Sequence, residues 1–216
     1  MRSSHLLSRA AALLLATAAA CACADNNNDY DAVRIVEAIA PNAKSCPADN
    51  QECRTAAQAA PFIADSMTTW ALGSVNQMAA VVSLMAFESA DFRYKRNKWP
   101  GRPGQGTANM QMARYNLLYA RAIDALRPQV ANMTTVDGQG DDKLNWLVSL
   151  VSQPDEYNFG SGAWFLATQC PQDVRDELAR DADRGFARYM GCVGVSVTDD
   201  RKAYFERAKK AFGITA

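Results

Sequence analysis

The run from Ser74 to Phe87 constrains this chain most, because it is apolar on more than one side. Val75, Met78, Ala79, Val82, Met85 and Ala86 recur at the i, i+3, i+4, i+7 spacing of a helix. Val81 and Leu84 carry the apolar surface further round it. A helix of that kind is buried in a domain centre rather than laid on its surface. Ser74 is placed to cap its start.

The rest of the chain supplies segments that can wrap such a centre. Helices are expected from Asp29 to Ile39, stopping at Pro41, and from Thr55 to Ala71, with Pro61 breaking the latter or starting a turn. Further helices are expected over Met110 to Leu126, with Leu117, Leu118, Ala122 and Leu126 as candidate core, and over Leu144 to Val151 and Ala163 to Thr168. Asp173 to Tyr189 reads as one amphipathic helix. The last runs from Thr198 to Phe212, with Thr198 as cap, Asp199 and Asp200 in its first turn, Lys209 and Lys210 in its last, and Gly213 as its stop. No run of alternating strands occurs. The expected class is mainly α, with at most a small β-hairpin in the basic, glycine- and proline-rich stretch from Arg93 to Asn109.

The first residues have another purpose. Arg2 and Arg9 flank an apolar run from Leu6 to Ala20, and Ala22-Cys23-Ala24 precedes the polar Asp25-Asn26-Asn27-Asn28. This is the layout of a secretory signal peptide over residues 1–24, leaving 25–216 as one expected domain of an extracellular protein. Removing residues 1–24 takes away Cys21 and Cys23 and leaves Cys46, Cys53, Cys170 and Cys192. An even set in an oxidising compartment reads as two disulfides. Three pairings are possible, and proximity favours Cys46–Cys53 and Cys170–Cys192.

Composition then excludes several chemistries. The one histidine, His5, lies in the signal, so the mature chain holds no imidazole. That excludes Ser-His-Asp and Cys-His catalysis and histidine-ligated zinc. No metal or cofactor is expected; Met78, Met85, Met110 and Met112 read as core filler. Arg2 and Arg9 leave with the signal, so 23 acids face 21 bases, too even a balance for bulk nucleic-acid binding. The expected chain is a monomer that touches neither nucleic acid nor, after signal cleavage, a membrane.

Glu88 follows Leu84-Met85-Ala86-Phe87 at the end of the central helix. An apolar wall and a helix C-terminus both disfavour a charged carboxylate, the condition a general acid needs to hold its proton. Three short segments stand in order around it: Glu88-Ser89-Ala90-Asp91-Phe92, then Met110-Gln111, then Tyr157-Asn158-Phe159-Gly160. Together they resemble the soluble lytic transglycosylase and goose-type lysozyme superfamily. Phe92 falls one residue later than in that pattern, and Asn109 stands where the superfamily has leucine. The resemblance spans about Val75 to Trp164.

The resemblance implies a lysozyme-like domain with Glu88 as general acid and then base. It implies that Ser89 orients the site, that Gln111 and Asn158 bind the sugar, and that Tyr157 lies beside the cleaved bond. Asp91, three residues on, is the nearest second carboxylate, and the alternative for it is a turn cap. Trp99, with Tyr94 and Arg102, offers stacking and hydrogen bonding to a sugar from the basic loop, and Asn97, Gln105 and Thr107 could line a groove. The expected function is a secreted glycosidase, of muramidase or lytic transglycosylase type, acting on peptidoglycan. The alternatives are a chitinase- or chitosanase-like hydrolase and a non-catalytic secreted carbohydrate-binding effector.

Overall fold

A computed structural model describes residues 31–215; the expected signal peptide lies outside them. Among the described residues the chain is mainly helical, as its periodicity predicts. Nine α-helices follow in order: α1 Ala32–Ile39, α2 Ala56–Thr69, α3 Val75–Glu88, α4 Ala113–Ala122, α5 Asp141–Ser152, α6 Asp155–Gln169, α7 Gln172–Arg180, α8 Ala182–Val193 and α9 Asp199–Ala211. The expected hairpin reduces to isolated antiparallel bridges, Arg96 with Gly106 and Gly106 with Gln111.

The central helix is α3. Every residue from Ala79 to Met85, and Ala86 after it, is buried, and α3 touches α1, α6, α7, α8 and α9. Ser74 caps it by accepting from the Asn76 N–H at 3.2 Å. Val75, at the first turn, is 41% exposed, so the buried stripe begins later than its spacing suggests. The approach of α6 to α3 depends on Gly162. A Cβ there would meet Met85 Sδ at 2.7 Å and Val81 Cγ1 at 3.0 Å.

Two helices differ from expectation for local reasons. Pro61 neither breaks nor starts α2, which runs through it. Thr55 and Gln58 form a reciprocal capping box that fixes the first turn, and Pro61 sits on the exposed side, where the carbonyl left without its N–H faces solvent rather than the core. The Asp173–Tyr189 stretch is two helices rather than one. Asp181 leaves helical geometry (φ −140°, ψ 111°) and its carboxylate accepts from the Arg184 N–H at 2.9 Å, capping α8. Leu118, expected in the core, is 42% exposed because α4 is a short helix packed on α5 and presents that side to solvent.

Disulfides join Cys46 to Cys53 and Cys170 to Cys192. The first closes the turn after α1; the second ties the end of α6 to the last turn of α8. Among the described residues no helix is long and apolar enough to cross a membrane.

Candidate functional site

The end of α3 is built by Ser89. Its hydroxyl donates to the Met85 carbonyl at 2.6 Å and accepts from the Phe92 N–H at 2.9 Å. Its own carbonyl accepts from the N–H groups of Arg93 and Tyr94. These bonds hold a turn in which Ala90, Asp91 and Phe92 all take left-handed backbone, with φ of 53°, 58° and 62°. Each such residue costs about 1 kcal/mol or more when it carries a Cβ. Phe92 helps offset this by packing edge-on against Phe159 of α6, ring centres 5.4 Å apart.

That turn separates the two carboxylates. Glu88 lines a cleft of about 240 Å³ together with Arg102, Gln105, Asn109, Met110, Gln111, Met112, Tyr115, Phe165 and the 193–195 turn after α8. Asp91 does not line it. Asp91 is 1% exposed and accepts from the backbone N–H and side-chain amide of Asn42 at 3.0 and 2.9 Å, and from the Tyr204 hydroxyl at 2.7 Å. It ties α3, the turn after α1, and α9 together. The expectation of Asp91 as a second catalytic carboxylate is corrected accordingly: its oxygens are spent on holding three elements in place.

Glu88 is not alone either. The Arg201 guanidinium of α9 donates to Glu88 Oε1 at 2.8 Å, and the two side chains are only 15% and 20% exposed. Arg201 also lies over the Phe87 ring at 4.6 Å. The wall beside Glu88 is apolar as expected, but an adjacent cation makes this an ion-paired carboxylate rather than an isolated acid.

Opposite Glu88, the loop before α4 is held in a fixed shape. The Gly106 N–H donates to the Gln111 carbonyl and the Thr107 N–H to the Lys95 carbonyl. Gly106 is packed so tightly that a Cβ would sit 2.5 Å from the Lys95 carbonyl oxygen. Lys95 is itself buried, donating to Asp155 Oδ1 and the Gln153 carbonyl. Burial lowers its pKa, against the opposing effect of Asp155. The Gln111 side-chain N–H donates to Asn116 Oδ1 at 2.9 Å, while its Oε1 has no protein partner. Asn109 is 4% exposed, and neither its amide nitrogen nor its amide oxygen finds a partner.

The structure therefore brings Glu88 and Gln111 to one cleft, with Gln105 and Arg102. Asn158 stands behind it: its carbonyl accepts from the Ala108 N–H at 3.4 Å, and the residue is 2% exposed. Tyr157 lines a different cavity, of about 470 Å³, with Phe62, Asp65, Trp70 and Glu156. A hydrogen bond to Glu156 is the main reason its phenol lies above the usual range. Trp99 is 89% exposed and lines neither cavity. The expectations that Tyr157 and Trp99 share a site with Glu88 are corrected: one sits on the turn of α6 that faces Trp70, the other at the tip of the basic loop. Arg201 was not anticipated. The signal available was a charged residue at a position of α9 three before Tyr204 and four before buried Phe205.

No family model matches this chain, and no solved structure matches it. It is similar to a bifunctional dioxygenase (DOX)-epoxy alcohol synthase (EAS) of Fusarium oxysporum, strain Fo5176, at 52% identity over 158 residues. The match takes in 73% of this chain and 12% of the Fusarium protein, so the chain spans a small fraction of that relative. This finding overturns the expectation of a glycoside hydrolase or lytic transglycosylase. A relative half identical over the match carries the name of an oxygenase and synthase, not of a hydrolase or glycosidase.

Proposed function

We propose that this chain is a ligand-binding module, of a kind that the Fusarium protein carries within a far longer oxidative enzyme. Three considerations support that reading. The matched stretch is 12% of the relative, so most of that protein lies outside anything this chain resembles. The described residues contain no histidine, and their four cysteines are all in disulfides. Among them no group of three or more His, Cys, Asp or Glu side chains could hold a metal ion. A redox metal would find no donor set among these residues.

The observation that carries the reading is the pair of amides in the Glu88 cleft. A buried amide without a partner costs about 1–3 kcal/mol, and Asn109 and Gln111 together leave three amide atoms unsatisfied. Both residues are buried in the cleft wall, so a ligand that brings donors and acceptors offsets that cost where the wall opens enough to let it reach them. An N-acetylated aminosugar polymer, the partner expected from the sequence, has both in its acetamido group. The likeness of the motifs around Glu88 to lysozyme-like domains is proposed only for the shape of the cleft. Export from the cell is also proposed, supported by two disulfides of the kind that persist in oxidising compartments.

Titration calorimetry with an N-acetylglucosamine tetramer tests the proposal. Binding is expected for the wild type and should weaken at least tenfold in Asn109→Leu, which fills the position with an apolar side chain and removes two of the three unpaired amide atoms. No binding by a folded wild-type protein would sink it.

A further inference from the structure

The charges around the Glu88 cleft do not cancel, and this deepens the reading just given. Among the residues lining the cleft only Glu88 and Arg102 are charged. Glu88 is neutralised by Arg201 at 2.8 Å. Arg102 makes no ion pair among the described residues. Its backbone N–H donates to Asn97 Oδ1 at 3.0 Å, and its guanidinium touches Met112 Sδ, also in the cleft wall, at 3.3 Å. A thioether is a weak acceptor, so most of the guanidinium's donors are unspent.

The two lysines of the same loop are ion-paired where Arg102 is not, Lys95 with Asp155 and Lys98 with Glu52. Arg114, in contrast, stacks over the ring of Tyr115, a cleft residue, at 4.5 Å and donates to its hydroxyl at 2.8 Å, again without an ion pair among the described residues. The cleft thus carries excess positive charge at its rim, set on one planar fork. That fork matches a carboxylate by two parallel N–H bonds.

We infer that the cleft selects polysaccharides bearing carboxylate groups, and that Arg102 is the residue that reads the charge. The inference rests on the binding role proposed above. Two probes separate it from that role: an N-acetylglucosamine tetramer, and the same tetramer with its C6 hydroxymethyl groups oxidised to carboxylates. In low salt the oxidised tetramer should bind the wild type about fivefold more tightly, the scale of one exposed ion pair. The preference should shrink as ionic strength rises.

Arg102→Glu should abolish or reverse the preference, and Arg102→Lys should keep part of it. Arg34→Glu, which makes the same change in net charge at a side chain 86% exposed on α1, should leave the preference intact. Because Arg102 is exposed on a loop, melting temperatures should report an intact fold in each variant. Equal affinity of the wild type for both tetramers, or an unaltered preference in Arg102→Glu, overturns the role of Arg102 alone. Failure of the wild type to bind either tetramer overturns the carbohydrate reading with it.

Discussion

Removing the Asp91 carboxylate would strand three donors at once. The Asn42 N–H, the Asn42 amide and the Tyr204 hydroxyl all end on its two oxygens. Asp91→Ala is therefore expected to lose about 3 kcal/mol of stability, the cost of leaving buried partners unsatisfied. Asp91→Asn, which keeps one acceptor oxygen, should lose less. A chemical-denaturation midpoint for each variant checks this, and an unchanged midpoint for Asp91→Ala would remove its structural role. At this scale the sequence was informative about where Glu88 falls, at the end of the central helix, because the apolar pattern of α3 is strong. It was uninformative about Arg201, which reaches Glu88 across 113 positions of chain. Nor could it say that Asp91 points to Asn42, since three left-handed residues in a row rotate the turn in a way no spacing rule encodes.

Between helices, the break at Asp181 is coupled to the close packing of α7 on α8. A Cβ on Gly185 would collide with the backbone of Leu178, which cannot move aside as a flexible side chain can. Gly185→Ala should push the two helices apart and cost about 3 kcal/mol or more. Gly191, further along the same helix, would have nothing within 4 Å of an added methyl group. Gly191→Ala should instead gain up to about 1 kcal/mol through helix propensity alone. Urea unfolding of the two variants distinguishes packing from propensity; equal shifts would refute the argument. Periodicity marked this region as amphipathic helix, but a period does not register where one helix ends and a second begins with its own cap. The α6 start is similar: its expected span began at Ala163, yet the helix starts at Asp155, because Tyr157, Asn158 and Gly160 are weak helix formers held there by tertiary packing.

Across the whole molecule, two buried phenols set the alkaline limit. Tyr119 and Tyr189 are 2% and 0% exposed, and burial is the main reason that each lies well above the usual phenol range. Their folded-state pKa values are raised, so both keep their protons in the folded state while the unfolded chain loses them above pH ~10. The stability they contribute is complete below that pH and falls as pH rises beyond it, by about 1.4 kcal/mol per tyrosine per pH unit. Thermal melts between pH 8 and 11 should be level at first and then drop. A Tyr189→Phe variant should drop less steeply, and an identical slope would contradict the assignment. The helical class of the whole was legible from periodicity and from the lack of alternating runs, and the disulfide partners followed from their nearness in sequence.

The cleft beside Glu88 draws its walls from four stretches far apart in the chain: the end of α3, the loop before α4 with the first turn of that helix, Phe165 of α6, and the end of α8 with Arg201 beyond it. An unfolded polypeptide has no such enclosure. Whatever occupies it must associate with the native conformer alone, so occupancy and thermal endurance are thermodynamically linked. A saturating occupant, at a hundred times its dissociation constant, would raise the unfolding free energy by about 2.7 kcal/mol. The protein's resistance to heat is thereby a reporter for any compound that settles between those walls, whatever its chemistry.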